Sequence, residues 1–300
     1  MSAGRAVKFV AEQGMALSPR PSRFASAFAA PARWTFLPGF IRALYALVVK
    51  RLFGLVKQPV IADVPDIGLM RLEPWDLIDS RLLFFNIWEP AVSRFMRTTI
   101  KPGDVVADIG ANIGYHTLLM SHAVGPHGHV FAVEPSPEIR SRLEDALALN
   151  TIQNVTVIPF GISDRAERRA FHLSEVNLGA SKFGELDESG LALKRLADVI
   201  PAVMLSRLSF IKLDVEGMEA AVMRDIVSIL PRLPRRLSIC AELRMDDALQ
   251  ALVQTFRNAD MDALVLPNEY SMFRYPAHPI TPIPAKTLAT GQLDVALVRR

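Results

Sequence analysis

Asp108 closes the apolar run VVAD and is followed by Gly110, Ala111, Asn112 and Gly114, then by the helix-like pattern YHTLLM. Glu134 closes the next apolar run, HVFAVE, 20 residues after Gly114. Further on, IKLDVEGMEAAV holds Lys212, Asp214 and Glu216, and RLSICAEL places Glu242 at its end. Glycines permit a tight turn and close backbone approach, and a helix start offers free N–H groups. A carboxylate at the end of the neighbouring strand can accept both ribose hydroxyls of an adenosine. The chemistry on offer is therefore that of a nucleoside-containing cofactor. A dinucleotide site wants G-x-G-x-x-G with a pyrophosphate on the helix start. Here the turn reads G-A-N-I-G, without the middle glycine and with an acid in front. An acid repels a pyrophosphate and attracts an ammonium, so S-adenosylmethionine is favoured over NAD(P). An NAD(P)-dependent Rossmann oxidoreductase is the alternative.

These residues need a scaffold that brings strand ends together. Strands are expected at 104–109, 129–133, 155–160, 208–213, 236–241, 262–267 and 293–299, and helices at 114–124, 137–149, 217–230 and 246–259. Such alternation implies a doubly wound, mostly parallel seven-stranded sheet with helices on both faces and right-handed crossovers. The last two strands are joined by the Pro-rich PNEYSMFRYPAHPITPIP, so the C-terminal strand is expected to be antiparallel. Residues 60–100 read as short strands and a helix, EPAVSRFMRTTI, ending in the turn KPGD. Within 164–207, HLSEVNLGASKFGELDESG reads as an irregular segment able to carry specificity, and 267–286 as a second lid.

Charge divides the chain unevenly. Residues 1–60 hold nine Lys/Arg and one acid, Glu12, whereas the remainder holds 25 basic and 30 acidic groups. The part with the chemistry is mildly acidic, which gives no reason to expect nucleic acid as a partner. One cysteine, Cys240, excludes an internal disulfide and fits a reducing, cytoplasmic setting. Residues 1–59 form a basic arm and 60–300 a single domain. Residues 1–33 read as a poorly ordered lead-in. FIRALYALVVKRLFGLV, 40–56, is too short and too charged to span a bilayer. It reads either as a helix packed on the domain or as an interfacial helix at the inner membrane surface, with peripheral contact through 40–57. A non-catalytic membrane-surface module is the third functional class. Oligomeric state is left open.

DIGANIGYHT, VEPSP, Asn150 and KLDVEGMEAAV, with WEP at 88–90 and AEL at 241–243, resemble the FkbM family of S-adenosylmethionine-dependent methyltransferases over roughly residues 86–260. The resemblance implies a class I methyltransferase (Rossmann-like) fold and methyl transfer to a hydroxyl oxygen. The acceptor would be a carbohydrate, lipid or natural product. It also implies that Asp108, Gly110, Ala111, Asn112 and Gly114 line the methionine side and that Glu134 holds the ribose. In this fold the loop after the third strand meets the adenine, which nominates Gly161, Ser163 and Asp164. Ser181 and its neighbours become cleft residues.

Strand alternation puts Lys212 and Asp214 on one side and Leu213 on the other. Asp214 should face the cofactor and the incoming acceptor, with Glu216 beside it as a further catalytic candidate, or else the two carboxylates cap the following helix. Asp214 and Glu242, on adjacent strand ends, could supply a general base or could hold Mg²⁺. His116, just after the glycine turn, is a further candidate base, or a histidine packed on the turn.

Overall fold

The computed structural model describes residues 22–33, 39–174, 181–215, 217–268, 281–285, 288–289 and 291–299. The chain opens with two helices, α1 (Arg23–Arg33) and α2 (Gly39–Val56). A hairpin of β1 (Val60–Val64) and β2 (Gly68–Leu72) follows, then α3 (Leu77–Phe85) and α4 (Pro90–Thr99). The alternating part runs β3 (Val105–Ile109), α5 (Tyr115–Val124), β4 (His129–Val133), α6 (Pro137–Leu149) and β5 (Val155–Ile158). Next come β6 (Gly161–Ile162), β7 (Glu167–His172), β8 (Lys182–Leu186), β9 (Leu191–Lys194) and the short helices α7 (Leu196–Val199) and α8 (Ala202–Leu205). The remainder is β10 (Leu208–Leu213), α9 (Glu219–Ile229), β11 (Ser238–Met245), α10 (Asp247–Asn258), β12 (Met261–Val265), β13 (Ile283–Pro284) and β14 (Gly291–Arg299).

The main sheet runs β13-β12-β14-β11-β10-β3-β4-β5. The sequence predicts seven strands; the eighth, β13, is a two-residue edge addition pairing antiparallel with β12. β3, β4, β5, β10 and β11 are parallel, and β14 lies antiparallel between β11 and β12. This is the class I methyltransferase arrangement. The chain winds outward from β3 to β5, then returns to β10 on the other side of β3. The crevice between β3 and β10 is the switch point where such sheets bind ligands.

Alternation along each strand explains the two layers. Val105, Ala107 and Ile109 of β3 join one core with Ile211 and Leu213, under α9 and α10. Val106, Phe210, Cys240 and Ala296 join the opposite core with α1 to α5. On that second face, one step further along each strand, stand Asp108, Lys212, Glu242 and Asp294. The register pairs Lys212 with Asp108 and Glu242 with Asp294. A row of polar groups thus caps the end of an apolar face.

The structure departs from the sequence expectation in four places. Residues 23–33 are helical rather than a loose lead-in, because Ala29 and Ala32 are fully buried. The segment 164–207 is not simply irregular: β6 to β9 form a four-stranded sheet of order β6-β9-β7-β8, and β8 lies inside the stretch read as a loop. The alternation in that sheet is weak because its faces are only half-buried. β11 runs on to Met245, so Glu242 sits within the strand and not at its end. Residues 60–100 carry an additional helix, α3, capped by Asp76, whose Oδ1 accepts from the Ile78 and Asp79 amides. Of the Pro-rich segment read as a lid, 269–280 lie outside the described residues, as do 175–180 and Glu216. Asn150 acts as a structural tie. Its side-chain amide exchanges two hydrogen bonds with the backbone of Leu69 and fixes β2 against α6.

Candidate active site

The glycine turn is built by backbone constraint. The amides of Gly110 and Ala111 both donate to Val133 O, at 3.0 and 2.9 Å, which bends the chain off β3 toward β4. Gly110 adopts φ +83°, and a Cβ there would lie 1.7 Å from the Asp214 carbonyl oxygen. Only glycine lets the two strand ends approach so closely. Asn112 also has positive φ, 50°, a conformation that asparagine tolerates better than most residues. Gly114, at φ +93°, opens α5 against Leu143.

Two cavities flank this turn. The smaller, about 50 Å³, lies between Gly110, Asn112, Glu134, Ser181, Phe183 and Asp214. The larger, about 390 Å³, is walled by Trp88, Glu89, Ala111, Asn112, Tyr115, His116, Lys212, Asp214, Glu242 and Gln292, among others. Asn112 and Asp214 line both.

Glu134 is buried, and its two oxygens accept from the amides of Asn112 (3.1 Å) and Ser136 (3.0 Å). Burial nevertheless pushes its carboxyl up to about 7. Asp108 is fully buried and accepts from Thr117 Oγ1 at 2.6 Å. Burial raises its pKa, opposed by Lys212. Lys212 Nζ lies 3.1 Å from Asp214 Oδ2, 3.8 Å from Asp108 Oδ1 and 3.3 Å from Gly110 O. Burial pulls the Lys212 ammonium down, but Asp214, Asp108 and Glu89 outweigh it and hold the group well above the ordinary lysine value. Asp214 does not cap the next helix: α9 begins at Glu219 with no side-chain cap on its N-terminus, and Glu219 itself accepts from the Gly217 amide.

His116 is buried on the wall of the larger cavity, its Nε2 3.5 Å from Ser93 Oγ and 3.8 Å from Glu89 Oε2. Burial, then the charge of Lys212, lowers its pKa well below the ordinary value, so the ring is neutral at physiological pH. Glu89 is the opposite case. Burial, then Asp294 and Asp214, push its carboxyl well up.

The adenine candidates lie on β6 and in the turn that follows it. Gly161, Ser163 and Asp164 line neither cavity. Gly161 of β6 pairs with Leu193 of β9, Ser163 Oγ donates to Glu167 at 3.1 Å, and Asp164 pairs with Arg224 at 2.6 Å. The metal pair nominated from sequence, Asp214 and Glu242, is likewise not the grouping found. Lys212 holds Asp214, while Glu242 comes within 4.8 Å of Glu89 and Asp294. Asn268 Nδ2 donates to Asp294 at 2.6 Å, and Gln292 Nε2 donates to Glu242. Each of these side-chain amides bonds one oxygen of its carboxylate.

Glu89 and Asp294 are the site residues that sequence reasoning missed. Glu89 stood in plain view before Pro90, the first residue of a helix, where φ 44° marks a constrained backbone. Asp294 is a single acid in the otherwise apolar strand run LDVALV, a place where a carboxylate is costly unless it finds partners.

Residues 108–251 match the model of the Methyltransferase FkbM domain. That span holds the glycine turn, Glu134, Lys212, Asp214 and Glu242, so the part of the chain that matches this methyltransferase domain is the part that carries the site. It is similar to the hexuronic acid methyltransferase AglP of Haloferax volcanii, at 26% identity over 187 residues, covering 59% of this chain and 72% of that protein. It also resembles the protein-L-isoaspartate O-methyltransferase of Ignicoccus hospitalis, at 39% identity over 59 residues, but the match spans only 20% of this chain and 28% of that one. Among solved structures, the FkbM methyltransferase of Methylobacillus flagellatus KT superposes with a TM-score of 0.44 at 11% identity, covering 91% of this chain and 58% of that one.

The residues present suit S-adenosylmethionine. Asn112, which lines both cavities, has a buried Oδ1 without a hydrogen-bond partner among the described residues, an acceptor that suits the ammonium of an amino-acid tail. Asp108 lines neither cavity, and its Oδ1 faces Lys212 at 3.8 Å. Lys212 is the one lysine or arginine lining either cavity among the described residues, against Glu89, Glu134, Asp214 and Glu242. That acid excess favours a cationic ligand over a pyrophosphate.

Proposed function

We propose that the chain methylates a hydroxyl oxygen of a neutral, carbohydrate-like acceptor seated in the larger cavity. The observation that carries this reading is the shared wall. Asn112 and Asp214 separate a narrow opening beside Glu134, where a ribose edge can reach the carboxylate, from a roomier cavity beside His116. S-adenosylmethionine, when bound, supplies an electrophilic methyl group. Glu134 accepts hydrogen bonds from ribose hydroxyls, Asn112 accepts from the amino-acid end, and Asp108 adds its negative charge from beneath the turn. Asp214 orients the acceptor, and neutral His116 takes the proton that the hydroxyl loses. Trp88 and Tyr115 offer aromatic walls on which the apolar face of a sugar ring can rest. Similarity to a hexuronic acid methyltransferase supports a sugar acceptor. The acidic lining disfavours a uronate, because Lys212 is already committed to Asp108 and Asp214.

Calorimetric titration with S-adenosylhomocysteine, with NADH in parallel, tests the cofactor half. Micromolar binding of the first and none of the second is expected, and the reverse would overturn it. Methyl transfer from labelled S-adenosylmethionine to neutral glycosides, compared with uronates, tests the acceptor half; a preference for uronates would refute it.

Glu134 gives this binding a pH dependence. Its ionised form is the hydrogen-bond acceptor, and its carboxyl titrates at about 7. Protonation must therefore weaken binding as pH falls. Between about pH 8 and about pH 6 the affinity for S-adenosylhomocysteine should drop roughly tenfold. Glu134→Gln should bind weakly with a flat profile over that range. A wild-type affinity independent of pH would remove Glu134 from the ribose.

A further inference from the structure

We infer that the outer face of α2 is a lipid-interface surface that seats the protein on an anionic bilayer. One side of the helix is satisfied within the chain: Ala43, Ala46 and Val49 are buried, and Lys50 Nζ donates to Asp76 O at 3.1 Å and Ser80 Oγ at 3.2 Å. The other side is not satisfied among the described residues. Phe40, Leu44, Val48, Leu52 and Leu55 are each more than half exposed, Leu55 by 78%. Their spacing of four, four, four and three residues draws one continuous stripe along the helix. A surface helix of a water-soluble domain ordinarily carries polar residues there. Five large side chains in a row form an apolar patch that needs a partner.

Charge identifies the partner. Residues 13–62 contain no Asp or Glu, and the exposed Arg51 and Lys57 flank the stripe near its C-terminal end. The complementary surface must be apolar and anionic together, which describes the headgroup boundary of a bilayer rich in acidic lipid. A second copy of this chain would set Arg51 and Lys57 against the same cations with no carboxylate on this helix to offset them. The helix lies on the membrane and does not cross it: no helix among the described residues is long and apolar enough to span.

The test is co-sedimentation of the full chain with phosphatidylcholine vesicles, with and without about 30% phosphatidylglycerol. The expected result is strong partition onto the acidic vesicles, weakened by salt. Arg51→Gln and Lys57→Gln should each lower the partition coefficient about fivefold. The pair Leu44→Asp and Leu52→Asp should lower it by at least about tenfold. Circular dichroism melts verify that each variant is folded, and Lys57→Gln, at an exposed position beyond the helix, serves if the double variant is not. Failure of the wild type to bind, equal binding to both vesicle types, or undiminished binding of the folded variants would overturn the inference. So would a lipid-free dimer that Leu44→Asp dissolves, because it would give this face to a second copy. None of these readouts depends on methyl transfer.

Discussion

Lys212→Met is expected to destabilise the fold by about 3–5 kcal/mol, the cost of removing one partner from a buried charge cluster. Lys212 lies between Asp108 and Asp214 on the strands that form the switch point, and Glu89 also feels its charge. Methionine fills much of the same volume, so the loss reports on charge and not on a cavity. Urea denaturation should show a lower midpoint at unchanged slope. The deficit has a defined pH dependence. Burial already raises the Asp108 carboxyl, and Lys212 opposes that rise, so the variant holds Asp108 higher still. An acid whose folded pKa exceeds its unfolded value favours folding below the unfolded pKa and loses that contribution as pH rises through the folded one. The deficit should therefore be small near about pH 4 and full at higher pH, above the raised folded value. Adding Asp108→Asn should recover part of it at neutral pH, because one uncompensated carboxylate is gone. A loss under about 1 kcal/mol would mean that the cluster is already protonated and that Lys212 does not hold it together.

His116→Asn is expected to lower turnover by about 10²–10⁴-fold, the range for removing a general base. Asparagine keeps a polar group near Ser93 but cannot take a proton. Affinity for S-adenosylhomocysteine should change by less than about threefold, since His116 lines the larger cavity alone. Titration calorimetry and single-turnover methyl transfer together decide the matter. If both quantities fall equally, His116 belongs to the cofactor wall, and the proton goes to another of the acids around that cavity.

Much of this arrangement was legible in the sequence because the β/α part obeys strong periodicities. The helix expected at 137–149 matches α6 residue for residue, and the glycine turn announced itself through Gly110 and Gly114. The same-side placement of Lys212 and Asp214 followed from strand alternation and appears as a 3.1 Å ion pair. Other features were hidden for physical reasons. Glu89 reaches the larger cavity from the N-cap of α4, which packs on α5, and the motif WEP marks the residue without saying what it will face. Asp294 arrives through an antiparallel strand whose neighbours in space, Glu242 and Asn268, lie 52 and 26 residues away in sequence. Asp164 looked like a cofactor ligand in a loop after a strand, yet Arg224, 60 residues on, claims it.

The insertion of β14 between β11 and β12 also sets an order of assembly. A chain lengthening from its N-terminus can pair β3 with β4 and β5, then β10 with β3, as each strand appears. The outer edge of β11 stays open until residues 291–299 have been made, leaving a hydrophobic, hydrogen-bond-hungry strand without its mate. The same event delivers Asp294 to the acids around Glu89. During synthesis the protein is consequently both incompletely protected against aggregation and without part of its active-site wall. Both conditions end together when β14 closes the sheet.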